Sequence, residues 1–95
     1  MLSIDSAMLM IKGLDRNAHL EFSDVTGKWY VSARLEICGN GVLCGITEHR
    51  ATPQQAVEAF LERLQTVEYP LRICANAYTK NHREWRWNGA AFAET

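Results

Sequence analysis

Long apolar runs and an excess of one charge are both missing from this sequence. The longest apolar stretch near the N-terminus is residues 7–11, which is too short to cross a bilayer and follows no basic region. We therefore expect neither a membrane span nor a signal peptide. Lys and Arg total 10 against 11 Asp and Glu, a net charge of -1. A dedicated nucleic-acid binder usually carries a basic excess, so this balance disfavours that class.

Cysteine is scarce and odd in number, with Cys38, Cys44 and Cys74. An odd count without a secretory signal predicts free thiols in a reducing compartment, the cytoplasm. Cys38 and Cys44 point to opposite faces of the strands predicted below, so they are not expected to bind a metal together with His49.

Motifs of catalysis and cofactor binding are also missing. Residues 48–50 read Glu-His-Arg, but no Ser or Cys nucleophile motif accompanies them. No Gly-rich phosphate loop or dinucleotide fingerprint occurs in the sequence. The two neighbouring glycines, at 39 and 41, are explained by a turn between strands. We expect no enzyme activity, no cofactor and no metal.

Two segments show helical periodicity. In residues 4–12 apolar side chains recur at helical spacing, Ser3 can cap the start, and Gly13 is expected to end the helix in the left-handed conformation. In the second segment Thr52 is the predicted N-cap and Pro53 the first helical residue. The apolar stripe of that helix is Ala56, Val57, Phe60, Leu61, Leu64 and Val67.

Between the helices the period changes to two, which predicts an antiparallel three-stranded meander over residues 18–48. A first turn at residues 24–27 places Phe22 opposite Trp29 and Leu20 opposite Val31. A second turn at Asn40-Gly41 places Ile37 opposite Cys44 and Leu35 opposite Ile46. Both registers gather apolar residues on one face, which we expect both helices to cover, and leave a mostly polar face toward solvent.

After the second helix, residues 71–77 alternate again, and Asn88-Gly89 predicts a second hairpin that pairs Trp87 with Ala90 and Trp85 with Phe92. The predicted fold is α+β, a two-layer sandwich of order α-β-β-β-α with a C-terminal strand and hairpin. Residues 1–95 form one domain, with a core at 1–68 and a β extension at 69–95. The extension is expected to be an ordered part of the fold, packed on the edge of the meander or on a second copy as a homodimer.

Several short motifs resemble those of the phage "ABA sandwich" family. Residues 3–7, Ser-Ile-Asp-Ser-Ala, are similar to the Ser-x-Asp start of its first helix, and residues 29–31 to its aromatic central strand. Residues 52–57 resemble the opening of its last helix, and residues 86–92 look like the ending of many short phage proteins. The resemblance implies a phage origin and this fold, and it carries no activity.

The same element order occurs in double-stranded RNA-binding domains, but the resemblance fails at the residues that bind RNA. Those domains open their last helix with a lysine cluster that grips phosphates. Here that position reads Thr-Pro-Gln-Gln, followed by Glu58 and Glu62. Phosphate contacts dominate such affinity, so RNA binding by this route is not expected.

The C-terminal segment interleaves basic and aromatic residues, which makes it the predicted partner-binding surface. Its members are Tyr78, Lys80, His82, Arg83, Trp85, Arg86 and Trp87. Such a pattern suits a protein-binding hot spot, and it also suits stacking on single-stranded nucleic acid. A third interpretation is that both Trp rings cover the core. The leading hypothesis is a non-enzymatic phage or prophage accessory protein that binds a host or phage protein in the cytoplasm; the alternative is a nucleic-acid-binding module.

Overall fold

The computed structural model of the protein describes residues 3–37, 48–67, 70–73 and 84–95. The chain folds as α+β, and its described residues form two helices and two small antiparallel sheets. In chain order the elements are α1 (Ile4–Lys12), β1 (His19–Ser23), β2 (Lys28–Ser32), β3 (Leu35–Ile37), α2 (Pro53–Thr66), β4 (Leu71–Ile73), β5 (Glu84–Trp87) and β6 (Phe92–Glu94). One sheet contains β1 and β2, and the other has the order β3-β4-β5-β6.

Helix α1 begins as predicted and ends differently. The Ser3 hydroxyl accepts a hydrogen bond from the backbone N–H of Ser6 at 3.1 Å, which satisfies one free donor of the first turn. Gly13 is right-handed, with φ -63°, so the prediction of a left-handed end is wrong. The physical reason is that the chain keeps turning in the same sense. The N–H groups of Leu14 and Asp15 both bond to the Ile11 carbonyl at 3.0 Å, which brings both side chains into the interior.

The first hairpin has the predicted register, with Phe22 opposite Trp29 and Leu20 opposite Val31. Gly27 lies in the joining turn at φ +67°, where glycine costs least, and its N–H bonds to the Ser23 carbonyl at 2.8 Å.

The predicted turns at residues 24–27 and Asn40-Gly41 imply one long central strand between them, but the structure breaks it into β2 and β3, which belong to different sheets. Asp15 causes the break. Its side chain accepts a hydrogen bond from the backbone N–H of Arg34 at 2.8 Å, so that N–H does not take part in a strand ladder. The chain then turns into β3, which pairs with β4 through Leu35 and Ile73. The prediction of one uninterrupted central strand is therefore wrong.

The third strand of the predicted meander and its Asn40-Gly41 turn fall largely on residues 38–47, outside the described residues. The predicted pairs with Cys44 and Ile46 lie there too, as do Cys38 and Cys44; Cys74 also lies outside the described residues. Shortly after that stretch, Arg50 lies on the side of β2 opposite to β1. Its carbonyl accepts the Trp29 N–H at 2.7 Å, and its own N–H donates to the Trp29 carbonyl at 2.9 Å.

Helix α2 lies at the centre of the core. The Thr52 hydroxyl accepts a hydrogen bond from the Gln55 N–H at 3.2 Å, and Pro53 opens the helix, as predicted. Of the predicted stripe, the structure buries Ala56, Val57, Phe60, Leu61 and Leu64. The helix packs against α1, β2 and β5, so both sheets share one apolar core with both helices.

The C-terminal strands belong to the fold, which confirms that prediction for the described residues. Strand β5 pairs with β4 and β6, and Trp85 is only 6% exposed within the core. The predicted hairpin register is wrong, because Trp87 pairs with Phe92 and Trp85 with Glu94. Asn88 explains the difference: its side-chain oxygen accepts hydrogen bonds from the N–H groups of Ala90 and Ala91, at 2.9 and 2.8 Å, and closes a longer loop.

Candidate functional site

The predicted C-terminal surface is only partly described, and its described members do not share one face. Tyr78, Lys80, His82 and Arg83 lie outside the described residues. Trp85 is buried against the core, so it stabilises the fold rather than facing a partner. The neighbouring Arg86 is exposed and lies opposite Ala93.

Trp87, the last member of that segment, is half-buried against its own hairpin. Its ring meets Phe92 edge-on, with centroids 4.9 Å apart and planes at 60°. Within the described residues the third interpretation of the segment, in which Trp covers the core, holds for Trp85.

An apolar surface at the end of the first hairpin was not predicted as a site. Burial falls along the hairpin, from Val31 at 0% exposed through a half-buried Trp29 to Phe22 at 50%. The rings of Phe22 and Trp29 are 5.2 Å apart at 60°. Val25, in the joining turn, is 96% exposed. We call Phe22, Val25 and Trp29 the hairpin tip.

The sequence holds one signal that could have revealed the hairpin tip. Val25 stands in the turn Ser-Asp-Val-Thr-Gly, where polar residues and glycine are the rule. A β-branched apolar residue in a turn stabilises neither the turn nor the core. Large apolar side chains grouped on a protruding surface are typical of protein contact sites.

The opposite face of the hairpin carries a hydrogen-bonded polar chain. The Tyr30 hydroxyl donates to one carboxylate oxygen of Glu21, and the other oxygen lies 2.5 Å from Nε2 of His19. Nδ1 of His19 is 3.0 Å from the Asn17 carbonyl oxygen. Both ring nitrogens therefore face acceptors, an arrangement that favours the doubly protonated imidazolium.

The pKa values of these hydrogen-bonded side chains are shifted by their contacts. The Asn17 carbonyl, together with the Glu21 carboxylate, raises the pKa of His19. Hydrogen bonds from Tyr30 and His19 lower the pKa of Glu21, and the same Glu21 contact raises the pKa of Tyr30. The contacts thus stabilise the charged forms of His19 and Glu21 and the neutral form of Tyr30, which is the behaviour of a structural cluster rather than of a general base.

In the Glu48-His49-Arg50 trio, the His49 ring points away from Glu48 and Arg50, which form an ion pair with each other. The His49 ring stacks on Tyr30, with centroids 4.8 Å apart, and its Nδ1 is 3.3 Å from the Thr26 hydroxyl. Glu48 contacts Arg63 of α2 at 3.3 Å and its near neighbour Arg50 at 3.2 Å. The trio therefore does not form one reactive site, although each member has a partner.

Within the described ranges, no group of three His, Cys, Asp or Glu side chains converges as a metal site would require. In the same part of the chain, no helix has the length and apolar character needed to cross a membrane. Compared with known proteins, the chain matches no family model, no curated protein and no solved structure.

Proposed function

We propose that this protein is a non-enzymatic accessory protein that acts by binding another protein, and that the hairpin tip is the surface it uses. The observation that carries the proposal is the exposure of Phe22 (50%) and Val25 (96%) at the end of a hairpin whose Val31, toward the other end, is fully buried. The two core-proximal residues of the hairpin, Leu20 and Val31, anchor it in the apolar core, so the tip is held at a defined position.

The energetics favour a partner at this surface. Covering a fully exposed Val and half of a Phe removes apolar area worth about 2–4.5 kcal/mol, since a complete burial of either side chain is worth about 1.5–3 kcal/mol. A protein partner supplies a matching apolar pocket. A nucleic-acid backbone does not, because it is recognised mainly through its charge.

The origin and place of action belong to the same proposal. The resemblance of residues 3–7 and 52–57 to a phage family supports a phage- or prophage-encoded protein. The odd number of cysteines supports action in the host cytoplasm.

The proposal is tested with three tagged proteins: the wild type, the double variant Phe22→Ser/Val25→Ser, and Leu9→Ser. Leu9 is a matched control, because it is also a large exposed apolar residue (70%) but lies on α1. Each protein is used to capture partners from a bacterial host extract, read by mass spectrometry. We expect the wild type and Leu9→Ser to capture the same host protein, and the double variant to fail to capture it.

The same three tagged proteins are also tested for nucleic-acid binding. Gel shifts with single-stranded and duplex probes are run over a range of salt concentrations. Salt-sensitive retention of a probe, with no protein that depends on the hairpin tip, would contradict the proposal and favour the alternative of a nucleic-acid-binding module.

A further inference from the structure

Strand β1 is an outer strand of the two-stranded sheet, and the bonds of Trp29 show which of its backbone groups point outward. Both backbone groups of Trp29 bond to Arg50, away from β1. Antiparallel partners alternate between pairs that exchange hydrogen bonds and pairs that do not, so Phe22, opposite Trp29, directs its N–H and C=O outward. Leu20, two residues earlier, does the same. Within the described residues, no hydrogen bond between elements engages the backbone of either residue.

The side chains that flank Leu20 carry opposite charges on one face. His19 and Glu21 lie on the polar face of β1 and are 54% and 41% exposed. They are placed symmetrically about Leu20. If β1 pairs antiparallel with an identical strand and Leu20 lies on the two-fold axis, residue 19 of each copy lies opposite residue 21 of the other.

We propose that β1 is a dimerisation edge that pairs antiparallel with β1 of a second copy, with Leu20 at the two-fold axis. In this register Leu20 exchanges backbone hydrogen bonds with Leu20 of the copy, and His19 of each copy faces Glu21 of the other. Opposite charges directly across an antiparallel pair are favourable, and like charges are unfavourable.

The other two-fold registers of this strand are electrostatically poorer. An axis at Glu21 sets two carboxylates against each other, and an axis at Phe22 sets Leu20 opposite Asp24. Charge complementarity therefore selects Leu20 as the axis. The pairing also covers an edge that no other described strand occupies and that would otherwise favour unselective association. It uses the backbone edge and the polar face of β1, and so it does not depend on the proposed role of the hairpin tip.

Two single variants test the pairing when they are mixed. His19→Glu makes both flanking positions acidic, and Glu21→Lys makes both basic. Each change breaks the His19–Glu21 contact within its own copy and sets like charges across the homodimer. Only pairing between an acidic and a basic copy restores complementarity, so recovery on mixing cannot come from contacts inside one chain.

Association is measured by sedimentation velocity over a wide range of protein concentration, at slightly acidic pH where His19 is protonated. We expect the wild type to dimerise, each variant alone to dimerise at least tenfold more weakly, and the equimolar mixture to recover the wild-type dimer. Val25→Ser, in the hairpin tip, is expected to dimerise like the wild type.

A measurement on the unmodified protein covers the case in which a variant fails to fold. The Leu20 amide should exchange with solvent more slowly as the wild-type concentration rises, because dimerisation engages it. A wild type that stays monomeric with a concentration-independent Leu20 exchange rate would overturn the proposal. So would folded variants that dimerise as well as the wild type, or a mixture that associates no better than its components.

Discussion

Replacing Asp15 by Asn should destabilise the protein strongly, although the two side chains have nearly the same shape. Asp15 is 2% exposed. One carboxylate oxygen accepts the Arg34 N–H at 2.8 Å, and the other accepts the Asn17 N–H at 3.0 Å and lies 3.4 Å from the Arg34 guanidinium. An amide has only one acceptor oxygen, so in Asn one of these N–H groups would meet an NH2 group.

The magnitude follows from those two bonds. A hydrogen bond to a charged group contributes about 1.5–3 kcal/mol, and a buried donor left without a partner costs about 1–3 kcal/mol. Water reaches Arg34, whose side chain is 60% exposed, and lowers the cost on that side. We therefore expect Asp15→Asn to lower the free energy of unfolding by about 2–4 kcal/mol, a large part of the stability of a small domain.

The pH dependence gives a second, independent signature. Burial raises the pKa of Asp15, but hydrogen bonds from the Arg34 and Asn17 backbones, with the Arg34 guanidinium, outweigh it and hold the pKa below its ordinary value of 3.8. A carboxyl group whose folded pKa is lowered adds stability above its unfolded pKa and loses it as the pH falls through the folded pKa. The difference between wild type and variant should therefore be full at neutral pH and shrink in strong acid.

Urea unfolding at several pH values measures both effects, with the free energy extrapolated linearly to zero urea. Asp24→Asn is the matched control: Asp24 lies exposed in the turn of the first hairpin, and its replacement should change stability by less than about 0.5 kcal/mol. If Asp15→Asn cost no more than this control at neutral pH, Asp15 could not be the residue that separates β2 from β3.

Three further outcomes are expected. Phe60→Ala should cost about 3–5 kcal/mol in urea melts, because Phe60 is fully buried, while Leu9→Ala, exposed on α1, should cost less than about 0.5 kcal/mol; equal costs would refute the packing of α2. Deleting residues 79–95 removes two strands and part of the core and should lower the melting temperature, whereas an unchanged temperature would make the segment an independent arm. Glu21→Gln should lower the pKa of His19 toward 6.5 in an NMR titration. The raised pKa of His19 adds stability at acidic pH that is lost as the pH rises through the folded pKa, so the variant should also lose part of that stability. A pKa of His19 that does not change in the variant would refute the contact.

The elements that the sequence predicted correctly are those set by local chemistry. Thr52 and Pro53 mark the start of α2 wherever the helix packs, and the alternation around Phe22 and Trp29 is enough to set the register of the first hairpin. In these cases the capping residue or the apolar pattern favours one arrangement only.

The elements that the sequence predicted wrongly depend on a side chain that competes with the backbone. Asp15 binds the N–H of Arg34 across 19 residues and ends β2, which no alternation pattern records. Asn88 binds two following N–H groups and lengthens its loop, although Asn-Gly favours a two-residue turn. Both side chains are short and polar, and each satisfies backbone donors that a strand ladder would otherwise have taken.

The candidate site was missed for a related reason. The interleaved Trp and Arg residues of the C-terminal segment are conspicuous in the sequence, but burial decides their role, and Trp85 is in the core. Phe22 reads as a core residue from its alternation, yet it lies outside the apolar core and is half exposed. How far a hairpin extends past its core is set by tertiary packing and cannot be read from the pattern.

The most direct test of the central claim is the affinity of the captured partner for purified wild type and variants, measured by isothermal titration calorimetry. Loss of the hairpin tip in Phe22→Ser/Val25→Ser should raise Kd at least tenfold, since about 1.4 kcal/mol of binding energy corresponds to a factor of ten. Leu9→Ser should bind within about twofold of the wild type, because it changes an equally apolar side chain on another surface. A double variant that remains folded and binds with the wild-type Kd would contradict the assignment of the hairpin tip as the protein-binding surface.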